Sequence, residues 1–403
     1  MIEVDAESFF AIVTVAALAA ITVAVVPRRF APPVVVVELL LGIVVGPEVL
    51  GLAHTDDFID FFSNLGLGML FFFAGYEIDF ERIKGKPLKL GALGWLLSVA
   101  LAYGIGGALA AAGIVVSFLY TGSAMATTAI GTLIPILRDN GELKTRFGTF
   151  LLAAGGAAEF GPILLVTMVL SAKQPLHEAA ILIGFVAIAL VLALTSVRLA
   201  WRGWPALERT FEASSQLAVR ITVVLVFGLV LLANELGLDV LLGGFVAGMI
   251  VRMALKGREL AVFESKLTAV GFGFFVPFFF VTSGIEFDLG ALGSAEALAK
   301  LVLFFALFLV VRGAPALLLY RGVLATRDRA ALAFYSATEL PLVVAITTLA
   351  VDGGHMKTST AAGLVGAAML STLVFPFVGQ ALRNRPEAEG PAPPPDPEPA
   401  PVL

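Results

Sequence analysis

FFFAGYEIDF (71–80) and FFFVTSGIEFDL (278–289) are the two stretches on which the fold turns. Each closes an apolar run with three phenylalanines, a glycine and two carboxylates, and Gly75, Glu77 and Asp79 correspond to Gly284, Glu286 and Asp288 at a constant offset. Two further matches follow in the same order along the chain. Gly42 and Gly46 in LLLGIVVG correspond to Gly244 and Gly248 in LLGGFVAG, and TTAIGTLIP (127–135) shares with TELP (338–341) a polar break in which threonine precedes proline. Phenylalanine runs and glycines four apart are common in membrane helices, so one match alone means little. Three in order indicate an internal repeat.

The rest of the chain fits a membrane protein: of 403 residues 59% are hydrophobic and 14% charged, and the mean hydropathy is +0.97. Apolar runs of about 20 residues, enough to cross ~30 Å of hydrocarbon at ~1.5 Å per helical residue, recur throughout. Lipid offers a broken backbone no hydrogen-bond partner, and no strand-like alternation is present, so the spans are expected to be helices. Hydropathy puts them near 7–26, 32–52, 60–77, 89–112, 115–137, 147–172, 178–200, 217–234, 237–253, 266–285, 295–320, 330–351 and 359–382, thirteen in all. With the N-terminus outside, every lysine and arginine falls on the cytoplasmic side except Lys173, Lys300, Lys357 and the intramembrane Arg312, as the positive-inside rule requires. The repeat copies are then seven spans apart, an odd number, which inverts the second half. Spans 1–6 and 8–13 are expected to be related by an axis in the membrane plane, with span 7 as connector.

Glu3, Asp5 and Glu7 precede the first span, the reverse of a basic signal peptide, so that span is expected to be retained. Cysteine is absent, which excludes thiolate and disulfide chemistry. The net charge of −5 carries no functional reading by itself. His54, His177 and His355 all fall in predicted outer loops. Beyond Arg385 the acidic, proline-rich tail (386–403) cannot build a core and is expected to be disordered, with no soluble regulatory domain attached.

Glu38, Glu159, Arg312 and Glu339 are the ionisable residues left well inside spans, roughly 14, 20, 14 and 15 Å from the nearest inner basic residue at ~1.5 Å per residue. A charge at that depth costs at least ~2.5–3.5 kcal/mol, so each is expected to face protein or water. Pro162, Pro341 and Pro135 lack the N–H that would bond the carbonyl four residues back, which frees Ala158, Ala337 and Gly131 as acceptors. Those carbonyls, the carboxylates of Glu159 and Glu339 and the hydroxyls of Thr127, Thr128, Ser336 and Thr338 are hard oxygen ligands of the kind that replaces water around an alkali cation. Gly155, Gly156 and Gly161 remove bulk around Glu159. The structural alternatives are that Glu159 or Glu339 neutralises Arg312 permanently, that Glu339 caps a half-helix, and that Glu38 is wetted from the cytoplasm.

Five segments carry a family resemblance: PPVVVVELLLGIVVGPEVLGL (32–52), LGLGMLFFFAGYEIDF (65–80), AMATTAIGTLIPILRD (124–139), LGLDVLLGGFVAG (236–248) and VPFFFVTSGIEFDL (276–289). Over roughly residues 7–382 the chain resembles the monovalent cation:proton antiporters of the Na⁺/H⁺ exchanger superfamily, in the branch of Kef-type and bacterial Na⁺/H⁺ or K⁺/H⁺ exchangers. The resemblance implies an all-α, thirteen-helix inverted-repeat fold, usually a homodimer, in which discontinuous spans 5 and 12 cross at the ion site. It implies a scaffold of residues 1–87 and 213–290, a moving core of 88–173 and 291–385, and a linker at 174–212. The sequence departs from the family where an aspartate is usual in the sixth span: here Ala158 precedes Glu159. Arg312 falls where the family commonly has a basic residue, and Glu339 is not expected in the second crossing segment.

The function expected is elevator-type exchange of Na⁺ or K⁺ for H⁺ at Glu159, electroneutral, in a multi-pass cell-membrane protein with a cytoplasmic C-terminus. Its partners would be monovalent cations, protons and membrane lipid, with no cofactor and no nucleic acid. A sodium-coupled symporter of an organic anion could share the architecture, but Arg312 is the one intramembrane anchor the sequence offers an anion. A membrane enzyme or receptor would need a nucleophile, metal cluster or phosphate loop on an aqueous face, and none is evident.

Overall fold

A computed structural model describes residues 5–26, 32–77, 83–165, 175–201, 216–236, 238, 240–255 and 261–383. Asp79, Lys173, the basic residues Arg28, Arg29, Arg82 and Arg258, and the tail beyond Arg383 lie outside the described residues. Among the described residues the structure is helical, without strands: α1 (Ala6–Val25), α2 (Val34–Val45), α3 (Asp57–Glu77), α4 (Lys86–Ala111), α5 (Phe118–Met125), α6 (Ile130–Asp139), α7 (Arg146–Leu165), α8 (Pro175–Trp201) and α9 (Leu217–Glu235). There follow α10 (Val240–Ala254), α11 (Ala261–Val270), α12 (Val276–Ile285), α13 (Leu289–Leu292), α14 (Ala295–Leu319), α15 (Thr326–Ser336), α16 (Pro341–Asp352) and α17 (Thr358–Arg383). Eight of the described helical segments are long and apolar enough to cross a membrane, and three shorter apolar helices accompany them. The chain is a multi-pass membrane protein.

Local chemistry sets the helix ends. Asp5 starts α1 by accepting the amides of Glu7 and Ser8, Ser294 starts α14 by accepting that of Ala297, and Asp288 starts α13 by accepting that of Ala291. Gly85, at φ 81°, turns the chain into α4 in a backbone region that a side chain would strain. Between α11 and α12 the helix widens to a π turn over Gly271–Phe275, just before Pro277. The extra residue absorbs the proline without ending the helix.

Close glycine contacts join the helices, as expected where lipid gives no hydrophobic drive for helix association and backbone approach must supply it. A Cβ at Gly42 would collide with the carbonyl of Val281, and one at Gly284 with that of Leu39, seating α2 on α12. On the companion pair, a Cβ at Gly75 would meet the carbonyl of Phe245 and one at Gly248 that of Phe72, seating α3 on α10. Packing is densest within two sets of helices: α1–α3 with α9–α12, and α4–α7 with α14–α17, while α8 lies against α10.

The two ends of the molecule differ in charge. At one end Asp56 accepts the amide of Asp5 at 2.8 Å and Glu48 that of Gly290 at 2.7 Å, beside Asp57, Asp60, Glu286 and Asp352. At the other, Arg383 pairs with Glu142 at 2.9 Å and with Asp328 at 2.5 Å, its guanidinium 4.4 Å above the ring of Phe147. Lys300, counted on the outer side near the start of the span at 295–320, is buried in the second turn of α14, bound to Glu296 at 2.7 Å and Thr360 at 2.9 Å. Its long side chain lets the ammonium reach those partners from inside the helix packing.

Candidate ion-binding site at the helix crossing

Two helices stop and restart at mid-span. After α5 the chain is non-helical over Ala126–Ala129 before α6, and after α15 it is non-helical over Ala337–Leu340 before α16. The breaks are tied to each other: the amide of Ala129 donates to the carbonyl of Thr338 at 2.8 Å, and the hydroxyl of Thr128 to the carbonyl of Ser336 at 2.5 Å. Thr127 Oγ1 donates to Glu339 Oε2 at 3.3 Å. The C-terminal ends of α5 and α15 and the N-terminal ends of α6 and α16 thus meet at one place, each with the partial charge of its unpaired backbone groups.

Arg312 and Glu339 stand against those ends. Arg312, 3% exposed on α14, donates from Nε to Thr128 Oγ1 at 3.0 Å, from Nη1 to Ser98 Oγ at 2.9 Å and from Nη2 to the carbonyl of Ala154 at 3.5 Å. Its hydrogen bonds go to hydroxyls and a carbonyl, while the charge of Glu339 acts on it from a distance. Glu339, fully buried just ahead of α16, is fixed through its backbone: its amide donates to Ser371 Oγ at 3.0 Å and its carbonyl accepts from Ser371 and Thr372, each at 3.1 Å. Its Oε1 has no hydrogen-bond partner, nor does the hydroxyl of Ser336. The Thr338 hydroxyl turns back to the carbonyl of Phe334 at 3.3 Å.

Glu159 lies on α7, five residues (about 7.5 Å of helix rise) beyond the Ala154 carbonyl that receives Arg312 and one turn beyond Gly155, which faces Ile130 at the start of α6. It is 5% exposed, and its Oε2 has no hydrogen-bond partner. Small residues make the room: a Cβ on Gly155 would strike Ile130 of α6 and one on Gly161 the ring of Trp95, while Ala158 is fully buried. Phe160 stacks on Phe245 at 5.2 Å, which brings α7 against α10, and the charge of Glu77 at the end of α3 reaches Glu159. Glu38 is 3% exposed on α2, in the other helix set, with Oε2 also unpartnered.

The prolines behave unequally. Pro341 opens α16 directly after a break, as its missing N–H favours at a first helical turn. The other break falls upstream of Pro135, which belongs to α6 and whose side chain is outside those described. Pro162 does not interrupt α7, which continues to Leu165. A membrane helix tolerates a proline where neighbouring helices re-satisfy the freed carbonyl.

Ser98, Ser371 and Thr372 escaped the reading of the sequence, and Glu77 entered it only as part of the repeat, without its reach to Glu159. Ser98 stands alone in an apolar span and offered no signal, whereas the adjacent pair Ser371–Thr372 in the last span was one that could have been read. No group of three or more His, Cys, Asp or Glu side chains placed to hold a metal ion occurs among the described residues. The oxygens assembled here are those of hydroxyls, carbonyls and single carboxylates, a set suited to a proton or a weakly held alkali cation.

Proteins of similar sequence include the Na⁺/H⁺-K⁺ antiporter GerN of Bacillus cereus, 28% identical over 66% of this chain and 68% of that one. The putative Na⁺/H⁺ antiporter YjbQ of Bacillus subtilis is 25% identical over 88% of this chain, which spans only 60% of that relative's length. In structure the chain resembles the sodium proton antiporter MjNhaP1 of Methanocaldococcus jannaschii, with a TM-score of 0.63 over 93% of this chain and 96% of that one at 15% identity, a likeness of fold. The family described as "Sodium/hydrogen exchanger, transmembrane" matches residues 13–383, and the chain belongs to it.

Proposed function

We propose that the protein exchanges Na⁺ or K⁺ for H⁺, with Glu159 as the group that binds either passenger. The observation that carries this is a buried carboxylate with a free oxygen on a helix packed against both broken spans. In its negative form such a group is costly to move through the membrane, and either a proton or a cation neutralises it. Exchange is then coupled by electrostatics, because the loaded site crosses and the empty charged one does not. One carboxylate exchanging one monovalent ion for one proton moves no net charge, so transport is electroneutral. Arg312 and Glu339 are the fixed charges of the half-helix ends, and the hydroxyls of Thr127, Ser336 and Thr338 complete the oxygen set.

The reading includes thirteen spans arranged as an inverted repeat, counting α5–α6 and α15–α16 as one broken span each and α11–α12 as one, and leaving out the four-residue α13. The exchanged glycine contacts support it, since α2 on α12 and α3 on α10 are the same pair under that symmetry. The two packing sets support a scaffold and a moving core, residues 1–87 with 213–290 and 88–173 with 291–385, around a linker at 174–212. The acidic Asp5 end would face outward and the Arg383 end the cytoplasm, in a homodimer in the cell membrane. An organic-anion symporter is disfavoured because each nitrogen of the Arg312 guanidinium already donates once, to Thr128, Ser98 and Ala154.

The test is ΔpH-driven cation flux in proteoliposomes with Na⁺, K⁺ and Li⁺. Glu159→Gln should abolish flux with all three while eluting as a folded protein, and flux that survives the substitution would sink the assignment.

A further inference from the structure

A cavity of about 430 Å³ opens between the two helix sets at the Asp5 end. Asp60, Glu286 and Asp288 contribute to one wall, and Val344, Thr347 and Asp352 of α16 to the other. Because α16 starts at the crossing with Pro341 and ends at Asp352, Val344 is three residues, about 4.5 Å of helix rise, from the crossing. The cavity therefore follows α16 from its far end to within one turn of Pro341, the residue that directly follows the break.

Glu286 is the carboxylate best placed to use that route. It sits just past the end of α12, held by its amide to the carbonyl of Thr282 at 2.9 Å. Asp288 is engaged otherwise, since Oδ1 accepts the amide of Ala291 at 2.6 Å. Partial burial pushes the Glu286 carboxyl up to about 7, the charges of Asp60 on α3 and Asp352 on α16 push the same way, and a hydrogen bond with Thr55 opposes them. A group titrating there changes charge at ordinary bath pH. In the repeat its counterpart is Glu77, at the opposite end of the molecule, whose charge reaches Glu159.

We propose that Glu286 is a relay residue for exchange, taking the cation or proton from the bath at the Asp5 end and passing it along the threonines of α16 toward the crossing. The proposal rests on the exchange reading above. Each transfer is simple binding and release: the carboxylate gains a proton or cation from the bath and loses the same species to the cavity. The scaffold thus supplies a carboxylate at the mouth, while the core carries the one that crosses.

Side-specific kinetics test it, in right-side-out and everted membrane vesicles of a host lacking its own exchangers. Glu286→Gln should raise half-saturating Na⁺ about tenfold at the Asp5 end, the scale by which one charge in a cleft concentrates counter-ions. Half-saturation at the other end and the rate at saturating Na⁺ should be unchanged. The wild-type pH profile at the Asp5 end should bend near 7, and that bend should vanish in Glu286→Gln. Glu286→Asp, which keeps the carboxylate, should restore most of the affinity. Equal impairment by Asp and Gln, an equal effect at both ends, or no effect at either would overturn the proposal. Exchange retained in Glu159→Gln would instead strike the site assignment and leave the sidedness result readable.

Discussion

Arg312 shows how single side chains hold the site together. Its three nitrogens donate to Thr128, Ser98 and Ala154, residues of three different segments, so one guanidinium fastens α14 to the first break, to α4 and to α7. Ser98 completes the bracket by donating to the carbonyl of Val311 at 2.9 Å. We expect Ser98→Ala to leave a buried charged donor unpaired and to destabilise the protein by about 1–3 kcal/mol, read as a lower Tm in detergent. Thr128→Val removes both the acceptor for Nε and the donor to Ser336, and should cost at least as much. Thr127, Thr128 and Thr338 were legible in the sequence because they cluster where an apolar span should have none. Ser98 was not, because a lone serine in a membrane helix ordinarily bonds its own helix backbone. Its partner lies more than two hundred positions away in the chain, where no local pattern reaches.

At the scale of elements, the glycines decide which helices touch. Gly75 and Gly248 let α3 and α10 approach until backbone meets backbone, and the same holds for Gly42 and Gly284 on α2 and α12. Gly248→Val should force α10 away from Phe72 of α3 and lower stability by about 1–3 kcal/mol, seen as a loss of monodisperse protein on size exclusion. Gly184, with open space at its Cβ position, should tolerate alanine in the same assay. The helical spans and the polar breaks were legible from hydropathy, proline and threonine, since spacing alone fixes them. The outcome at Pro162 was not, because whether a proline ends a helix depends on what neighbouring helices offer the freed carbonyl. The burial of Lys300 was hidden for a similar reason: hydropathy puts it inside a span near the outer end, but does not bring Thr360 to it.

Across the whole molecule, the two helix sets face each other at the Asp5 end with carboxylates on both sides, and this makes stability depend on pH. Glu286 binds its proton more tightly when folded, so its contribution is fully present below the ordinary glutamate range and is lost as pH rises through about 7. Asp5 runs the other way. The hydroxyl and amide of Ser8 hold its carboxyl low, so its share is present at neutral pH and lost as pH falls through that lowered value. In detergent, the Tm should decline between pH 5 and pH 8, and Glu286→Gln should flatten that decline while leaving the acid limb intact. The 430 Å³ between the sets has a hydraulic consequence as well. At roughly 30 Å³ per molecule it holds on the order of ten waters. In the exchange cycle proposed above, a core closing against the scaffold would have to expel them, so osmotic stress from an excluded polymer should bias the molecule toward its drained form and slow turnover in proportion to the solvent displaced.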